Sequence, residues 1–271
     1  MSVQIRNNVR VVGDGALTLV FAHGFGCDQN MWRMMGGHFA ERYRVVLFDM
    51  VGSGGSDITA YQPEKYASLR GYAADLLDVV REFGQGPVVF VGHSVSAMIG
   101  ALADASAPDL FLAHIMIGPS PCYIDDAGYV GGFSRDDIDD LLQTLRSNYL
   151  GWSRGMAPVI MGDNGQPALA EELTNSFCRT DPEIAKQFAQ VTFLSDNRAD
   201  LHRLTRPVLI IQSSIDPIAP VTVGEYLDAH LPDSTLRIID NVGHCPHLSA
   251  PQACIEAMDA FLATLAVPHD A

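Results

Sequence analysis

The sequence predicts an α/β fold: a mostly parallel sheet flanked by helices, with a block of helices inserted into it. Three observations carry that reading. Short, β-branched apolar runs ending in glycine or a Gly/Ser/Pro turn recur along the chain, as strands buried on both faces do. Between them lie segments with apolar residues at helical spacing. From about Ser120 to Leu204 the strand-like runs stop and only helical patterns remain. Strand–helix alternation on both sides of a purely helical block implies a doubly covered parallel sheet into which the block is set.

Taken in order, "VQIRNNVRVVG" (3–13) reads as a strand pair or hairpin. "LTLVFAHG" (17–24) is a buried strand ending in glycine. "RVVLFDMVGSGGSD" (44–57) repeats the form, strand and then Gly/Ser-rich turn. The turn resembles a phosphate loop but lacks the Lys-Ser/Thr ending and opens into no helix. "GYAADLLDVVREFG" (71–84) places Leu76, Leu77, Val80 and Phe83 at helical spacing between glycines. "PVVFVGHS" (87–94) and "FLAHIMIGPSP" (111–121) are further strands. Four helices are expected, in 134–162, 166–180, 181–196 and 197–205, several opening with Ser, Asp or Pro as helix starts do. "RPVLIIQSSIDPIAP" (206–220) and "STLRIIDNVGH" (234–244) restore the strands. A helix near "VTVGEYLDAHL" (221–231) separates them, and an amphipathic helix, "APQACIEAMDAFLATL" (250–265), closes the chain. The resulting division is a core in two parts, 1–119 and 205–271, around a helical lid, 120–204.

Composition narrows the function. The 271 residues are 48% hydrophobic and 18% charged, with a net charge of −15. That charge argues against a nucleic-acid partner, which Lys and Arg would have to neutralise, and against docking on an anionic membrane. It reads as solubility. Five cysteines, Cys27, Cys122, Cys178, Cys245 and Cys254, are odd in number and scattered, so no disulfide framework is expected. With neither a signal-peptide pattern nor a membrane-length apolar run, a cytoplasmic location is expected.

The chemistry centres on Gly92-His93-Ser94. The triplet follows a strand and precedes a helix, the context that gives a G-x-S motif meaning. Such a turn lifts the hydroxyl at the carboxyl end of the sheet, where open α/β folds bind ligands, and the helix N-terminus favours developing negative charge. Serine is a weak nucleophile and needs a base, itself oriented by an acid. Asp216 follows one late strand and His244 the next, in the chain order Ser, Asp, His. The expected triad is Ser94, His244 and Asp216, with Asp109, Asp125 and Asp126 as weaker rivals for the acid. The expected oxyanion donors are the backbone N–H groups of Val95 and of Phe25, in the loop "HGFG". His23 and His93 read as structural and Cys27 as a small loop residue. His244 and His247 flank Cys245, but no carboxylate or further ligand completes a tetrahedral set, so no metal and no cofactor are expected.

These motifs identify a resemblance. "HGFGCDQNMW", "VVLFDMVGSGGSD", "GHSVSAMIG", "GPSPCY", "GGF", "NYLGW", "FCRTDPEIAKQFA", "FLSDNRADL" and "GHCPHLSAP" resemble the α/β-hydrolase superfamily over nearly the whole chain. Within it they resemble the branch of the bacterial stress-response regulator RsbQ and the plant karrikin and strigolactone receptors. Ser96, where the elbow pattern usually has glycine, is the form this branch uses. The resemblance implies a V-shaped four-helix lid over a small hydrophobic pocket lined by Phe25, Val95, Tyr123, Trp152, Met156, Phe193 and Ile218. Met156 departs from the aromatic of the plant receptors. The resemblance also implies hydrolysis of a small hydrophobic ester or lactone. The alternative is a ligand receptor whose partner is a PAS-containing phosphatase or other signalling protein.

Overall fold

The computed structural model describes residues 1–266, so 267–271 of the second expected core part, 205–271, lie outside the described residues. Ser2 caps a single helical turn, α1 (Val3–Arg6). Seven strands follow in one sheet: β1 (Arg10–Val12), β2 (Thr18–Ala22), β3 (Arg44–Phe48), β4 (Val88–His93), β5 (Ala113–Ile117), β6 (Val208–Ile215) and β7 (Ser234–Val242). Their spatial order is β1-β3-β2-β4-β5-β6-β7. Among the described strands only β1 runs antiparallel, along the edge beside β3. The expected N-terminal hairpin is therefore a helical turn followed by an edge strand. The Ser2 hydroxyl accepts from the N–H of Ile5, and the Asn7 amide donates to the carbonyl of Asp49. Both contacts draw 2–7 away from pairing with β1.

Strand periodicity sorts the core into two faces. Leu19, Phe21, Val45, Val89, Val91, Ile115, Leu209 and Ile211 point to one side, against Trp32 and Phe39. Val20, Ala22, Val46, Val88, Phe90, Met116 and Ile210 point to the other, against Leu76, Met98 and Leu227. Helices α2 (Arg33–Ala40) and α11 (Pro251–Leu262) cover the first face. Helices α3 (Leu69–Phe83), α4 (Val95–Asp104) and α9 (Val221–His230) cover the second. Neither α2 nor the one-turn α10 (Pro246–Ser249) is expected from the sequence, because both are short and Gly- or Pro-bearing.

Between β5 and β6 stand four helices: α5 (Arg135–Ser147), α6 (Tyr149–Met161), α7 (Pro167–Arg179) and α8 (Pro182–Phe193). The first expected helix, 134–162, is two, divided at Asn148, whose side chain caps α6, and 197–205 forms only a short 3-10 helix, Arg198–Arg203. Their starts follow local chemistry. Ser134 and Asp137 form a reciprocal capping box at α5. The Asp181 carboxylate accepts from the N–H groups of Glu183 and Ile184 at α8. Their apolar faces join the first core through Ile138, Leu142, Trp152, Phe177 and Phe193. No helix among the described residues is long and apolar enough to cross a membrane.

Candidate active site

Ser94 stands in the turn between β4 and α4 at φ 56°, ψ −124°. Left-handed backbone at a serine is strained by about 1–3 kcal/mol and persists only where its surroundings enforce it. Here they do. The Ser94 N–H donates to the carbonyl of Ile117 at 2.8 Å, and the Ala97 N–H donates back to the Ser94 carbonyl at 3.0 Å. A Cβ on Gly92 would come within 2.7 Å of the Ser96 backbone, so only glycine lets strand and helix close around the turn.

The turn delivers Ser94 Oγ to 2.8 Å from His244 Nε2, and His244 Nδ1 lies 2.8 Å from Asp216 Oδ2. The other oxygen of Asp216 accepts from the N–H groups of Ile218 and Ala219 at 2.8 and 3.0 Å. With both oxygens engaged, Asp216 is fixed in orientation, and the three buried side chains form one hydrogen-bonded line. The rival carboxylates lie elsewhere. Asp125 caps the N–H groups of Gly131 and Gly132, Asp126 pairs with Arg198, and Asp109 is exposed beside Arg206.

Ser96 has its own contact. Its hydroxyl donates at 2.5 Å to the carbonyl of His23, at the head of the loop that carries Phe25. The residue at the usual glycine position thus ties helix α4 to that loop. Removing the hydroxyl leaves a buried carbonyl without this donor, which costs about 1–3 kcal/mol. Ser96→Ala is expected to lower the denaturation midpoint accordingly, with the chain still folded. An unchanged midpoint would contradict the tie.

His23 and His93 hold loops. His23 Nδ1 lies 2.9 Å from the Gly24 carbonyl, and its Nε2 accepts from the Met50 N–H at 3.0 Å. His93 Nε2 lies 2.9 Å from the His244 carbonyl. Val95 begins α4, where a first-turn N–H has no partner within its own helix. Phe25 packs at 5.6–6.1 Å against Trp152, Phe177, Phe188 and Phe193. The neighbouring Gly26 is at φ 69°, and a Cβ there would strike the Phe177 ring at 1.9 Å.

Above Ser94 lies an apolar cavity of about 30 Å³. Six of the seven side chains expected to line a pocket border it: Phe25, Tyr123, Trp152, Met156, Phe193 and Ile218. Val95 does not line it, because its side chain packs into the second core. The sequence reading missed Ile160, Leu173, Phe177 and Thr192, which also line it. Leu173 and Phe177, four apart on α7, carry the one signal that could have revealed them. Cys27 and Cys245 line it too. Burial pushes the Cys27 thiol up to about 12 and the Cys245 thiol well above its ordinary value, leaving both uncharged. Burial also raises the Tyr123 hydroxyl, 3.4 Å from Ser94 Oγ, to about 12. Trp152 Nε1 and Thr192 Oγ1 are buried polar atoms without a hydrogen-bond partner. A larger cleft of about 1060 Å³, between α3, α8 and 194–200, touches none of the triad residues.

One further cluster adjoins the site. His93, Cys245 and His247 each place a ligand atom within 4.8 Å of the others. The sequence pairs Cys245 with His244 and His247. In the structure His244 faces Asp216 and Ser94 instead, and His93 takes its place.

A strained serine at a strand–helix turn, backed by an aspartate and a histidine in the loops after successive later strands, is the architecture of an α/β hydrolase. The chain belongs to the alpha/beta hydrolase family, whose sequence model matches residues 19–257. It is 41% identical over 258 residues to a probable esterase of Oryza sativa subsp. japonica, covering 94% of this chain and 95% of that one. It is 38% identical over 257 residues to a Petunia hybrida protein named Karrikin insensitive 2 receptor CA, again covering 94% and 95%. Among solved structures, a hydrolase from Oleispira antarctica superposes with a TM-score of 0.94 at 40% identity, covering 97% of this chain and 96% of that one.

Proposed function

We propose that the chain hydrolyses small apolar esters or lactones through Ser94, His244 and Asp216. The observation that carries this is the unbroken line Asp216–His244–Ser94, with both links at 2.8 Å, ending in an apolar cavity. Ser94 Oγ attacks the carbonyl carbon while His244 Nε2 takes its proton. Asp216 holds the Nδ1–H tautomer and stabilises the imidazolium. The backbone N–H groups of Phe25 and Val95 receive the developing oxyanion. His244 then protonates the leaving oxygen, and water, deprotonated by the same imidazole, releases the acyl group and frees Ser94.

Substrate size follows from the cavity. A space of this volume holds about two waters, so the acyl portion is short unless the helices above give way. Residues 120–204 act as a lid over the core parts 1–119 and 205–271. Trp152 Nε1 and Thr192 Oγ1 are the polar groups free to meet a heteroatom on the substrate. In a p-nitrophenyl ester series, kcat/KM is expected to be highest for acetate or propionate and to fall by at least ~10-fold at octanoate. Each methylene that does not fit forfeits about 0.8 kcal/mol of burial. A preference for octanoate would overturn the size assignment.

A second reading is favoured by the relative named as a receptor and by the ring contacts joining Phe25 to α6, α7 and α8. In it, a pocket ligand or an acylated Ser94 shifts those rings, and the lid surface presents the change to a signalling protein. The PAS-containing phosphatase implied by the RsbQ resemblance is the partner of this reading. Coupling of this kind is typically ~1–3 kcal/mol. Titrating that partner with wild type and Trp152→Ala, each with and without a pocket ligand, tests it. Equal affinity in all four conditions leaves a plain esterase.

A further inference from the structure

We propose that His93, Cys245 and His247 form a binding site for a soft monovalent cation, Cu(I), beside the hydrolytic site. The three residues come from different elements: His93 ends β4, Cys245 follows His244, and His247 lies in α10. All three are buried. Their ligand atoms lie within 4.8 Å of one another, and the two imidazole rings are 4.4 Å apart between centroids. Both ring nitrogens of His247 are buried without a hydrogen-bond partner among the described residues. A buried imidazole left bare on both sides costs free energy that a ligand would recover. Burial lowers the proton affinity of both histidines, that of His247 to about 3, so each offers a neutral lone pair.

The chemistry selects the ion. A thiolate with two imidazoles is a soft donor set, suited to Cu(I) or Zn²⁺. Among the described residues no further His, Cys, Asp or Glu joins the cluster, which fits three-coordinate geometry. One thiolate and two neutral imidazoles carry a single negative charge. A monovalent ion cancels it, whereas a divalent ion leaves a net buried charge, which is costly. Metal–ligand lengths of about 2.0–2.1 Å to nitrogen and 2.3 Å to sulfur require ligand atoms about 3.5–3.8 Å apart in a trigonal site. The cluster therefore closes by no more than about 1.3 Å. As the metal–sulfur bond forms, the Cys245 S–H bond breaks and its proton leaves to solvent. The ion would clamp the end of β4, next to Ser94, to the segment just after His244. The site does not depend on the reading of Ser94 as a nucleophile.

The test is an anaerobic titration of the full chain, carrying Cys178→Ser to remove the exposed thiol, against Cu(I) buffered by a competing chelator. Copper X-ray absorption is then recorded on the loaded protein. One equivalent is expected, three-coordinate, with one sulfur and two imidazole neighbours. Loss of an outer partner of a metal ligand typically costs 10–100-fold in affinity. Cys245→Ala and His247→Gln, which lose a ligand itself, are each expected to weaken binding by at least ~100-fold, while Cys27→Ala leaves it intact. The proposal is overturned if the folded protein binds no equivalent, if the copper has two sulfur neighbours, if Cys245→Ala retains the affinity, or if Zn²⁺ binds there and Cu(I) does not. Should a variant fail to fold by circular dichroism, the absorption spectrum of the loaded parent decides.

Discussion

Ser94→Ala is expected to abolish ester hydrolysis while leaving the fold intact. The rate on p-nitrophenyl acetate should fall on the order of 10³-fold or more, as when a triad nucleophile is removed. Nothing else in the elbow changes. The contacts that enforce its backbone are main-chain ones, from the Ser94 N–H to Ile117 and from Ala97 to the Ser94 carbonyl. Alanine keeps the Cβ that already occupies this conformation, so the thermal midpoint should move little. The released hydroxyl exposes His244 Nε2 to the cavity, where water takes its place. A variant keeping most of its turnover would place the nucleophile elsewhere.

Asp216→Asn has the second large effect, and its sign follows from the hydrogen bonds. The oxygen facing Ile218 and Ala219 accepts from two backbone N–H groups. An asparagine keeps its carbonyl on that side, because the amide nitrogen has nothing there to donate to. Its NH₂ then faces His244 Nδ1 and donates. The imidazole must accept at Nδ1 and carry its proton on Nε2, pointing at Ser94 Oγ. A base in that tautomer cannot take the serine proton. Loss of kcat near 10⁴-fold is expected, the size seen when a triad aspartate becomes an amide. Crystals of the variant should show the same side-chain positions. A rate close to that of the parent would mean that the acid role belongs to another group.

Much of this arrangement is legible in the sequence because its signals are local. β2, β4, β5 and β6 read as unbroken apolar runs since both of their faces are covered, and all of their residues except the last two of β6 are buried. Gly92 betrays the elbow because only glycine fits between β4 and α4. Asp216 and His244 betray themselves by following strands. The first seven residues misread because α1 is decided by a serine cap and an asparagine that reaches 42 residues along the chain, and apolar alternation is blind to both. Ser96 looks like a mere small residue until its hydroxyl is seen on the His23 carbonyl. The grouping of His93 with Cys245 and His247 brings together residues about 150 apart. No spacing rule reaches that far.

The central claim is that Ser94 is an activated nucleophile. It is tested most directly by mass spectrometry of the intact and digested chain after exposure to a small fluorophosphonate, an organophosphorus probe that captures such serines. A single adduct is expected on the peptide carrying Ser94, absent in Ser94→Ala and strongly slowed in Asp216→Asn. An adduct on Cys27 or Cys245 instead, or no adduct while ester turnover continues, would contradict it.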